Sequence, residues 1–207
     1  MIDKLLEEIG EDKTQNMTTT SFKFKRDIWE FFQGFQDKVA VEFGTHKGQT
    51  TKILSHLFKK VYTVNNQDNT EAKILNKDIQ NIEYISNFDL YSDNPIPINS
   101  TIDVFLIDAG HKYTHVISDI NRAISMNCAE ECYIIFDDYG LSRHSKHVKR
   151  AVDQAINQNI LSKVKGIGHP KGHNFKSLNR YGEVNSWIDP TYELIAPEGL
   201  ITKVNWA

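Results

Sequence analysis

The sequence predicts an α/β fold in which helices cover both faces of a doubly wound, mostly parallel sheet. Short apolar runs recur along the chain, and their nearly continuous Val, Ile and Phe content is typical of parallel strands buried on both faces. Segments with a helical spacing of apolar residues alternate with these runs. This alternation indicates right-handed βαβ units, and therefore a sheet between two helical layers.

The elements follow in a regular order along the chain. The predicted strands cover residues 38–43, 60–65, 82–86, 102–107 and 132–136. The predicted helices between and after them cover residues 49–58, 70–79, 114–126 and 145–159. Further helices are expected at 2–9 and 22–35, and an antiparallel strand within 198–206 is expected to close the sheet. This three-layer, Rossmann-like arrangement places a ligand site beyond the carboxyl ends of the strands.

The length and composition predict one domain. A chain of 207 residues with 40% hydrophobic side chains can build one substantial core. We expect a helical extension at 1–37, a ligand-binding core at 38–140 and substrate-side elements at 141–207. No apolar run approaches the roughly 18 residues of a membrane span, and the N-terminus is charged. The expected location is therefore cytoplasmic, with no membrane partner.

The charged residues are unevenly distributed. The formal net charge is −3, yet nine basic residues and one acid lie between positions 143 and 180. The basic residues are Arg143, Lys146, Lys149, Arg150, Lys163, Lys165, Lys171, Lys176 and Arg180. Two interpretations stay open: a solvated surface, or a rim that attracts an anionic substrate. The negative net charge argues against a nucleic-acid partner.

The most informative segment is VAVEFGTHKGQTTKIL, at residues 39–54. A buried strand leads into Glu42, and Gly44 and Gly48 precede an amphipathic helix. Gly44 permits a close approach of ligand to the main chain, and Gly48 leaves free N–H groups that suit a carboxylate or phosphate. The glycine spacing differs from the dinucleotide fingerprint, so NAD is not expected. The acid beside the loop suits a ligand with an ammonium group next to its carboxylate, as in a methionine moiety.

Three segments resemble one enzyme superfamily. The pattern Glu42-x-Gly44-Thr45-x-x-Gly48-x-Thr50 resembles the first motif of the class I S-adenosylmethionine-dependent methyltransferases. The segments IDVFLIDAGHKY and YIIFDDYG are similar to the small-molecule, sugar-type O-methyltransferase branch. The resemblance implies that these five motif residues bind S-adenosylmethionine. It also implies methylation of a small hydroxylated molecule, which the basic segment would favour as an anion.

The resemblance also implies contacts to the nucleoside of the cofactor. An acidic residue is expected at the end of the second strand to bind the ribose hydroxyls, and this chain has Asn65 there, with Asp68 nearby. Asn offers weaker acceptors than a carboxylate, and a turn residue is the alternative interpretation. For the adenine, the candidate is Asp89 after the third strand, which alternatively caps a turn.

Three carboxylates are expected at adjacent strand ends. Asp108 follows the fourth strand, and Asp137 and Asp138 follow the fifth. Such a group requires protonation, basic partners or a divalent cation. The resemblance implies that the three bind Mg²⁺, which would hold a hydroxyl and lower its pKa. Alternatively, Asp137 and Asp138 cap a loop, and Asp108 only orients the cofactor.

His111 is the candidate general base. It follows Asp108 by three residues, and a neutral imidazole can remove a proton at physiological pH. A structural histidine is the alternative, and Gly110 stands where some relatives carry an acid. Two other functions stay open: a non-catalytic S-adenosylmethionine-binding or scaffold protein, and a hydroxylase-like or nucleotide-binding relative. An Asn-Pro-Pro-Tyr-like motif for a flipped base does not occur in the sequence.

Overall fold

The computed structural model describes residues 1–10, 19–140, 145–169, 177–178, 184–185 and 196–206. The described strands are β1 (Val39–Phe43), β2 (Lys60–Val64), β3 (Ile82–Ile85), β4 (Ile102–Ile107), β5 (Cys128–Phe136), β6 (Leu161–Ile167), β7 (Ser177–Leu178), β8 (Val184–Asn185) and β9 (Gly199–Val204). The described helices are α1 (Ile2–Ile9), α2 (Phe22–Phe31), α3 (Gln49–Leu57), α4 (Thr70–Leu75), α5 (Tyr113–Ser125) and α6 (Ser145–Asn157). The predicted α/β class is confirmed.

Seven of the described strands form one sheet in the order β3-β2-β1-β4-β5-β9-β6. The strands from β1 to β5 pair in parallel, and β9 is antiparallel to both of its neighbours. The predicted doubly wound sheet with an antiparallel C-terminal strand is therefore confirmed. After β3 the chain crosses back to β4, on the other side of β1. The loops that follow β1 and β4 consequently leave the sheet side by side, at its switch point.

Both faces of the sheet are buried, as the apolar strands predict. Val41 and Phe43 of β1 belong to the core that contains side chains of α5 and α6. Ala40 of the same strand belongs to the core that contains side chains of α1, α2 and α3. In β5, Phe136 and Ile135 divide between the two cores in the same way. A slip of one residue would exchange the two faces, so this burial fixes the strand register.

Two strands differ from the prediction at the β5 side of the sheet. β6 is not predicted from the sequence, because this edge strand has exposed residues at Lys163 and Val164 in place of an apolar run. β5 begins at Cys128, four residues earlier than expected. Its pairing with β4 shifts register between Ile102 and Val104, so a less buried first half still joins the sheet.

The N-terminal helices pack on the α3 side of the sheet. The Oγ of Ser21 caps α2 by accepting from the Phe24 N–H at 3.0 Å. This helix ends at Phe31, four residues before the expected end. The division into an extension, a core and substrate-side elements stays a prediction. Within the described ranges, no helix combines the length and apolar character needed to cross a membrane.

Candidate active site

The loop after β1 passes very close to the loop after β4. Gly44 has a φ of +97°, which favours glycine, and a Cβ built there would lie 2.1 Å from the carbonyl oxygen of Asp108. Its N–H donates to the Val64 carbonyl at 2.9 Å, and the Asp108 N–H donates to the Phe43 carbonyl at 2.9 Å. From the sequence, Gly44 is expected to permit the close approach of a ligand. In the structure, packing between the two loops already requires this glycine.

Gly48 starts α3 in a left-handed conformation, with a φ of +74°. A Cβ there would lie 2.6 Å from the Cβ of Ala72 in α4. The Nδ2 of Asn76 donates to the Gly48 carbonyl at 3.0 Å. The start of α3 therefore carries no side-chain cap and packs closely against α4.

Glu42 points into the protein interior. Its side chain is 1% exposed, and its Oε2 accepts hydrogen bonds from the hydroxyls of Thr51 and Thr63. Thr45 joins the same group, because its Oγ1 lies 2.6 Å from that of Thr63. Burial raises the pKa of Glu42 to about 8, although the two hydroxyl donors act against this shift. The predicted contact between Glu42 and an ammonium group stays a prediction.

Thr50 is also turned away from the open side of the loop. Its Oγ1 lies 3.2 Å from the Oγ1 of Thr20, and the Thr19 hydroxyl donates to Gln49 Oε1. The first turn of α3 is thus held by the segment that precedes α2.

A cavity of about 660 Å³ lies at the carboxyl ends of β1, β2 and β4. This volume is within the range of about 300–1,000 Å³ that is typical of small-molecule sites. The lining residues are Gly44, His46, Lys47, Asn65, Asn66, Gln67, Asp68, Thr70, Glu71, Leu90, Tyr91, Asp108, Ala109, Gly110, His111 and His115.

The cavity brings together only part of the predicted cofactor set. Gly44, Asn65 and Asp108 line it. The remaining predicted residues lie behind or beside the lining: Glu42, Thr45, Gly48, Thr50 and Asp89. Of the residues that the sequence analysis missed, His46 and Lys47 sit between the two motif glycines, where their position could have suggested a role.

Asp89 caps a turn, in line with the alternative that the sequence leaves open. Its Oδ1 accepts from the Tyr91 N–H at 2.9 Å, and its carbonyl accepts from the Ser92 hydroxyl at 2.8 Å. The turn brings Leu90 and Tyr91 to the cavity wall. Asn65 is held nearby, because its carbonyl accepts from the Phe88 N–H at 2.9 Å.

A carboxylate and imidazole cluster lies at the β4 side of the cavity. The Nε2 of His111 is 2.9 Å from Asp138 Oδ2 and 3.8 Å from Asp108 Oδ1. One ligand-type atom from each of the three residues lies within 4.8 Å of the other two. Burial lowers the pKa of His111, but hydrogen bonds and charges from Asp108 and Asp138 outweigh it and raise the pKa to about 10. The neutral imidazole expected from the sequence is not the form that this arrangement favours.

Asp137 is buried beside the cluster and is not one of its three members. It follows β5 directly, where successive side chains point to opposite sides, and Asp138 then adopts a left-handed φ of +56°. The two neighbouring carboxylates therefore leave the strand in different directions. The structure brings Asp108 and Asp138 together with His111, and the part of Asp137 in the predicted metal site stays a prediction.

The central part of the chain resembles a known protein family. Residues 41–139 match the family model described as a methyltransferase domain. This segment is therefore similar to a methyltransferase domain. No curated protein matches the sequence. The matched range runs from the middle of β1 to the turn after β5, so the matched segment contains the cavity lining and the cluster.

Several solved structures share the fold of this chain. The O-methyltransferase TomG from Streptomyces achromogenes, in complex with S-adenosylmethionine, is 11% identical, with a TM-score of 0.64 over 100% of this chain and 89% of that one. An rRNA methylase from Streptococcus thermophilus is 17% identical, with a TM-score of 0.56 over 87% and 95%. The N-methyltransferase NodS from Bradyrhizobium japonicum, with S-adenosylhomocysteine, is 14% identical, with a TM-score of 0.57 over 98% and 96%. At these identities the likeness establishes the fold alone.

Proposed function

We propose that the protein transfers the methyl group of S-adenosylmethionine to a hydroxyl of a small, anionic molecule. The observation that carries this proposal is the cluster at the β4 side of the cavity: Asp108 and His111 line the cavity, and a carboxylate oxygen of Asp138 lies within 4.8 Å of both. The O-methyltransferase TomG, whose structure contains S-adenosylmethionine, provides a precedent for this chemistry on the same fold. We propose no nucleic-acid substrate, although an rRNA methylase shares the fold.

The cavity lining supports one orientation of the cofactor. His46 and Lys47 lie next to the start of α3, where backbone N–H groups and the Lys47 ammonium suit the methionine carboxylate. Asn65 and Asp68 line the end of β2 and suit the ribose hydroxyls. The base then lies against Leu90, which is the apolar part of this wall. The methyl group consequently faces the β4 side, where the cluster lies.

The cluster supplies groups that position and deprotonate a hydroxyl. The two carboxylates of the cluster suit a divalent cation, and Asp108 and Asp138 would be the oxygen ligands for Mg²⁺ beside the His111 imidazole. When bound, such a cation lowers the pKa of a coordinated hydroxyl. His111 accepts the hydroxyl proton once the carboxylate charges that hold its own proton are neutralised. In this arrangement the acceptor oxygen faces the methyl group that it attacks, and the imidazole lies beside that oxygen.

The basic segment supports an anionic acceptor. Among its described residues, Lys146 is exposed, Lys149 is paired with Asp153, and the Arg150 guanidinium lies 4.6 Å from the centre of the Tyr113 ring. The remaining described residues, Lys163 and Lys165, lie on β6. Arg143, Lys171, Lys176 and Arg180 are outside the described residues. A hydroxylated anion such as a nucleotide-sugar is the class of acceptor that we propose.

The test combines binding with turnover. Isothermal titration calorimetry with S-adenosylmethionine and S-adenosylhomocysteine should show saturable binding, whereas NAD should give none. Release of S-adenosylhomocysteine in Mg²⁺ is then measured with a panel of sugar phosphates, nucleotide-sugars and uncharged sugars as acceptors. Absence of binding by both sulfur nucleotides refutes the proposal. Binding without transfer to any acceptor favours a non-catalytic S-adenosylmethionine-binding protein instead.

A further inference from the structure

Two cysteines lie close together in the first half of β5. Cys128 and Cys132 are the only cysteines of the sequence. In a regular strand, residues four apart are separated by about 13 Å, because each residue advances the chain by about 3.3 Å. In this strand, however, Cys128 pairs with Ile102 of β4, and Tyr133 already pairs with Val104. Five steps along β5 therefore cover the length of two steps along β4, or about 7 Å.

The segment between the two cysteines bulges out of the sheet. Glu130 and Glu131 are exposed, and the pairing of β5 with β9 begins only at Tyr133. The Nε1 of Trp206 donates to the Glu130 carbonyl at 2.8 Å and holds the bulge in place. A disulfide needs Cα atoms that are about 4.4–6.8 Å apart, which is close to the length that the shifted register leaves between the ends of this bulge.

The two thiols differ in accessibility and in acidity. Cys128 is half-buried, and its Sγ donates to the Ala123 carbonyl at 3.2 Å. Cys132 is fully buried. A hydrogen bond from the Cys132 thiol lowers the pKa of Cys128, and the same contact and burial raise the pKa of Cys132. Because the thiolate is the nucleophile, Cys128 is the thiol that reacts first, and Cys132 lies beside it as a second sulfur.

We propose that Cys128 and Cys132 form a reversible oxidation site, at which hydrogen peroxide joins the two sulfur atoms in a disulfide. The Cys128 thiolate attacks one peroxide oxygen, so that the O–O bond breaks, hydroxide leaves and the sulfur becomes a sulfenic acid. The Cys132 sulfur then attacks the sulfenic sulfur. The S–S bond forms, the S–O bond breaks, and the Cys132 proton leaves with the hydroxyl group as water. The two thiols supply the two electrons that reduce the peroxide.

The cross-link protects Cys128 and does not stabilise the fold. It closes a loop of only five residues, 128–132, and so short a loop constrains the unfolded chain little. A sulfenic acid that finds no second thiol is oxidised further to a sulfinic acid, which is irreversible for most proteins. Cys132 therefore keeps the oxidation of Cys128 at a stage that thiols can reverse.

The oxidation site is separate from the cavity. The cavity lies at the carboxyl ends of β1, β2 and β4, whereas Cys128 begins β5, which is parallel to β4. The two sites are therefore at opposite edges of the sheet, and this inference does not rest on the proposed function. The oxidised and reduced proteins should bind S-adenosylhomocysteine with affinities within about twofold of each other, because distant sites couple weakly.

The test uses the sequence between the two cysteines. Reduced protein is treated with hydrogen peroxide until added glutathione, a free thiol, is fully oxidised in the same solution. Remaining thiols are blocked with N-ethylmaleimide, and the unfolded chain is digested with a glutamate-specific protease, which cleaves after Glu130 and Glu131. Cys128 and Cys132 then lie in different peptides, which mass spectrometry should find joined before reduction with dithiothreitol and separate after it. Blocked thiols, a sulfinic acid at Cys128 with Cys132 still free, or a disulfide between two chains would each overturn the proposal.

Single substitutions test the order of the two steps. In Cys132→Ser, Cys128 should form a sulfenic acid that dimedone traps, and longer exposure should convert it to the sulfinic acid. In Cys128→Ser, the buried Cys132 should react with peroxide at least about tenfold more slowly than Cys128 does in Cys132→Ser. Circular dichroism checks that both variants are folded, and the wild-type digest does not depend on either of them. Equal rates in the two variants would overturn the assignment of Cys128 as the first thiol to react.

Discussion

The hydroxyls of Thr20 and Thr50 lie 3.2 Å apart in a buried contact between the start of α2 and the first turn of α3. Thr19 makes a parallel contact with Gln49. At its other end this segment is fixed by Glu198, whose carboxylate accepts from the Ser21 N–H at 2.9 Å and from its hydroxyl. The residues that follow the motif glycines are therefore held by a segment that lies outside the range that matches the family model.

Removing the Thr20 hydroxyl should weaken cofactor binding without exposing the site. Thr20→Val keeps the shape of the side chain, leaves Thr50 without this contact and should cost about 1 kcal/mol of unfolding free energy. Thr202→Val is the matched control, because its buried hydroxyl donates to the Ile134 carbonyl, away from α3. Calorimetry should show a loss of about threefold or more in S-adenosylhomocysteine affinity for Thr20→Val alone. If Thr20→Val and Thr202→Val are equally destabilised and bind S-adenosylhomocysteine with equal affinity, the contact between Thr20 and Thr50 has only a structural role.

Glu42 should make the stability of the protein depend on pH. Its pKa is about 8 in the folded state, against an ordinary value of 4.5. Between these values the folded state keeps a proton that the unfolded state releases, so stability falls as the pH rises from about 4.5 to 8 and is level above that range. Glu42→Gln removes this loss, since Thr51 and Thr63 can donate to the amide oxygen as well.

The measurement is urea unfolding of the wild-type protein and Glu42→Gln at pH 5.5 and pH 8. Subtracting one protein from the other cancels the contributions of other titrating groups. One pKa unit corresponds to about 1.4 kcal/mol, so the variant should gain on the order of 2 kcal/mol or more relative to wild type over this interval. A difference that does not change with pH would show that the carboxyl is ionised throughout and that its burial is compensated.

The proposed metal site predicts different effects for substitutions of Asp138 and of its neighbour Asp137. Asp138→Asn should lower turnover by about 100-fold or more and leave S-adenosylhomocysteine affinity within a few fold, because a metal at this place contacts the acceptor. Asp137→Asn should have a much smaller effect, since its carboxylate is not one of the three clustered groups. EDTA should abolish activity, and Mg²⁺ should restore it. Full activity after exhaustive chelation would eliminate the metal.

The anionic acceptor gives a prediction for the exposed part of α6. Lys146→Glu reverses the charge of an exposed side chain and should raise the KM of an anionic acceptor several-fold, more at low ionic strength than at high. Arg150 is less informative, because its guanidinium also stacks on Tyr113. Lys77→Glu is the control, an exposed position after α4. If neither the charge reversal nor the salt concentration changes the KM, the basic segment is a solvated surface and does not bind the acceptor.

The elements that the sequence predicts are those whose residue pattern follows directly from their local structure. The central strands β1, β2 and β4 are largely apolar because both of their faces are buried. Gly44 and Asp108 directly follow β1 and β4. The edge strand β6 escapes prediction, since its exposed Lys163 leaves no apolar run. The stacking of the Tyr91 ring on the His115 ring could not be predicted from the sequence for another reason. Twenty-four positions separate the two residues, and only the path of the chain around β4 brings their rings together.

We expect His111 to accept the substrate proton and, when no metal is bound, to supply positive charge beside Asp108 and Asp138. Without a metal, its imidazolium neutralises part of the charge of Asp108 and Asp138, so His111→Ala leaves two carboxylates close together without that counter-charge. The variant should be destabilised in EDTA, and Mg²⁺ should raise its Tm more than that of wild type, because the imidazolium no longer competes for the same carboxylates. Turnover at saturating Mg²⁺ should still fall by about 100-fold, the usual cost of losing a general base.

These two readouts distinguish the roles of His111. Thermal unfolding in EDTA and in Mg²⁺ reports the charge balance, whereas kcat in Mg²⁺ reports proton transfer. His111→Asn, which keeps a polar side chain but cannot accept the proton, should resemble His111→Ala in kcat. If Mg²⁺ shifts the Tm of wild type and variant equally, the ion does not bind at the cluster. If kcat is unchanged in both variants, the hydroxyl loses its proton to another group, and His111 serves only to hold Asp108 and Asp138 together.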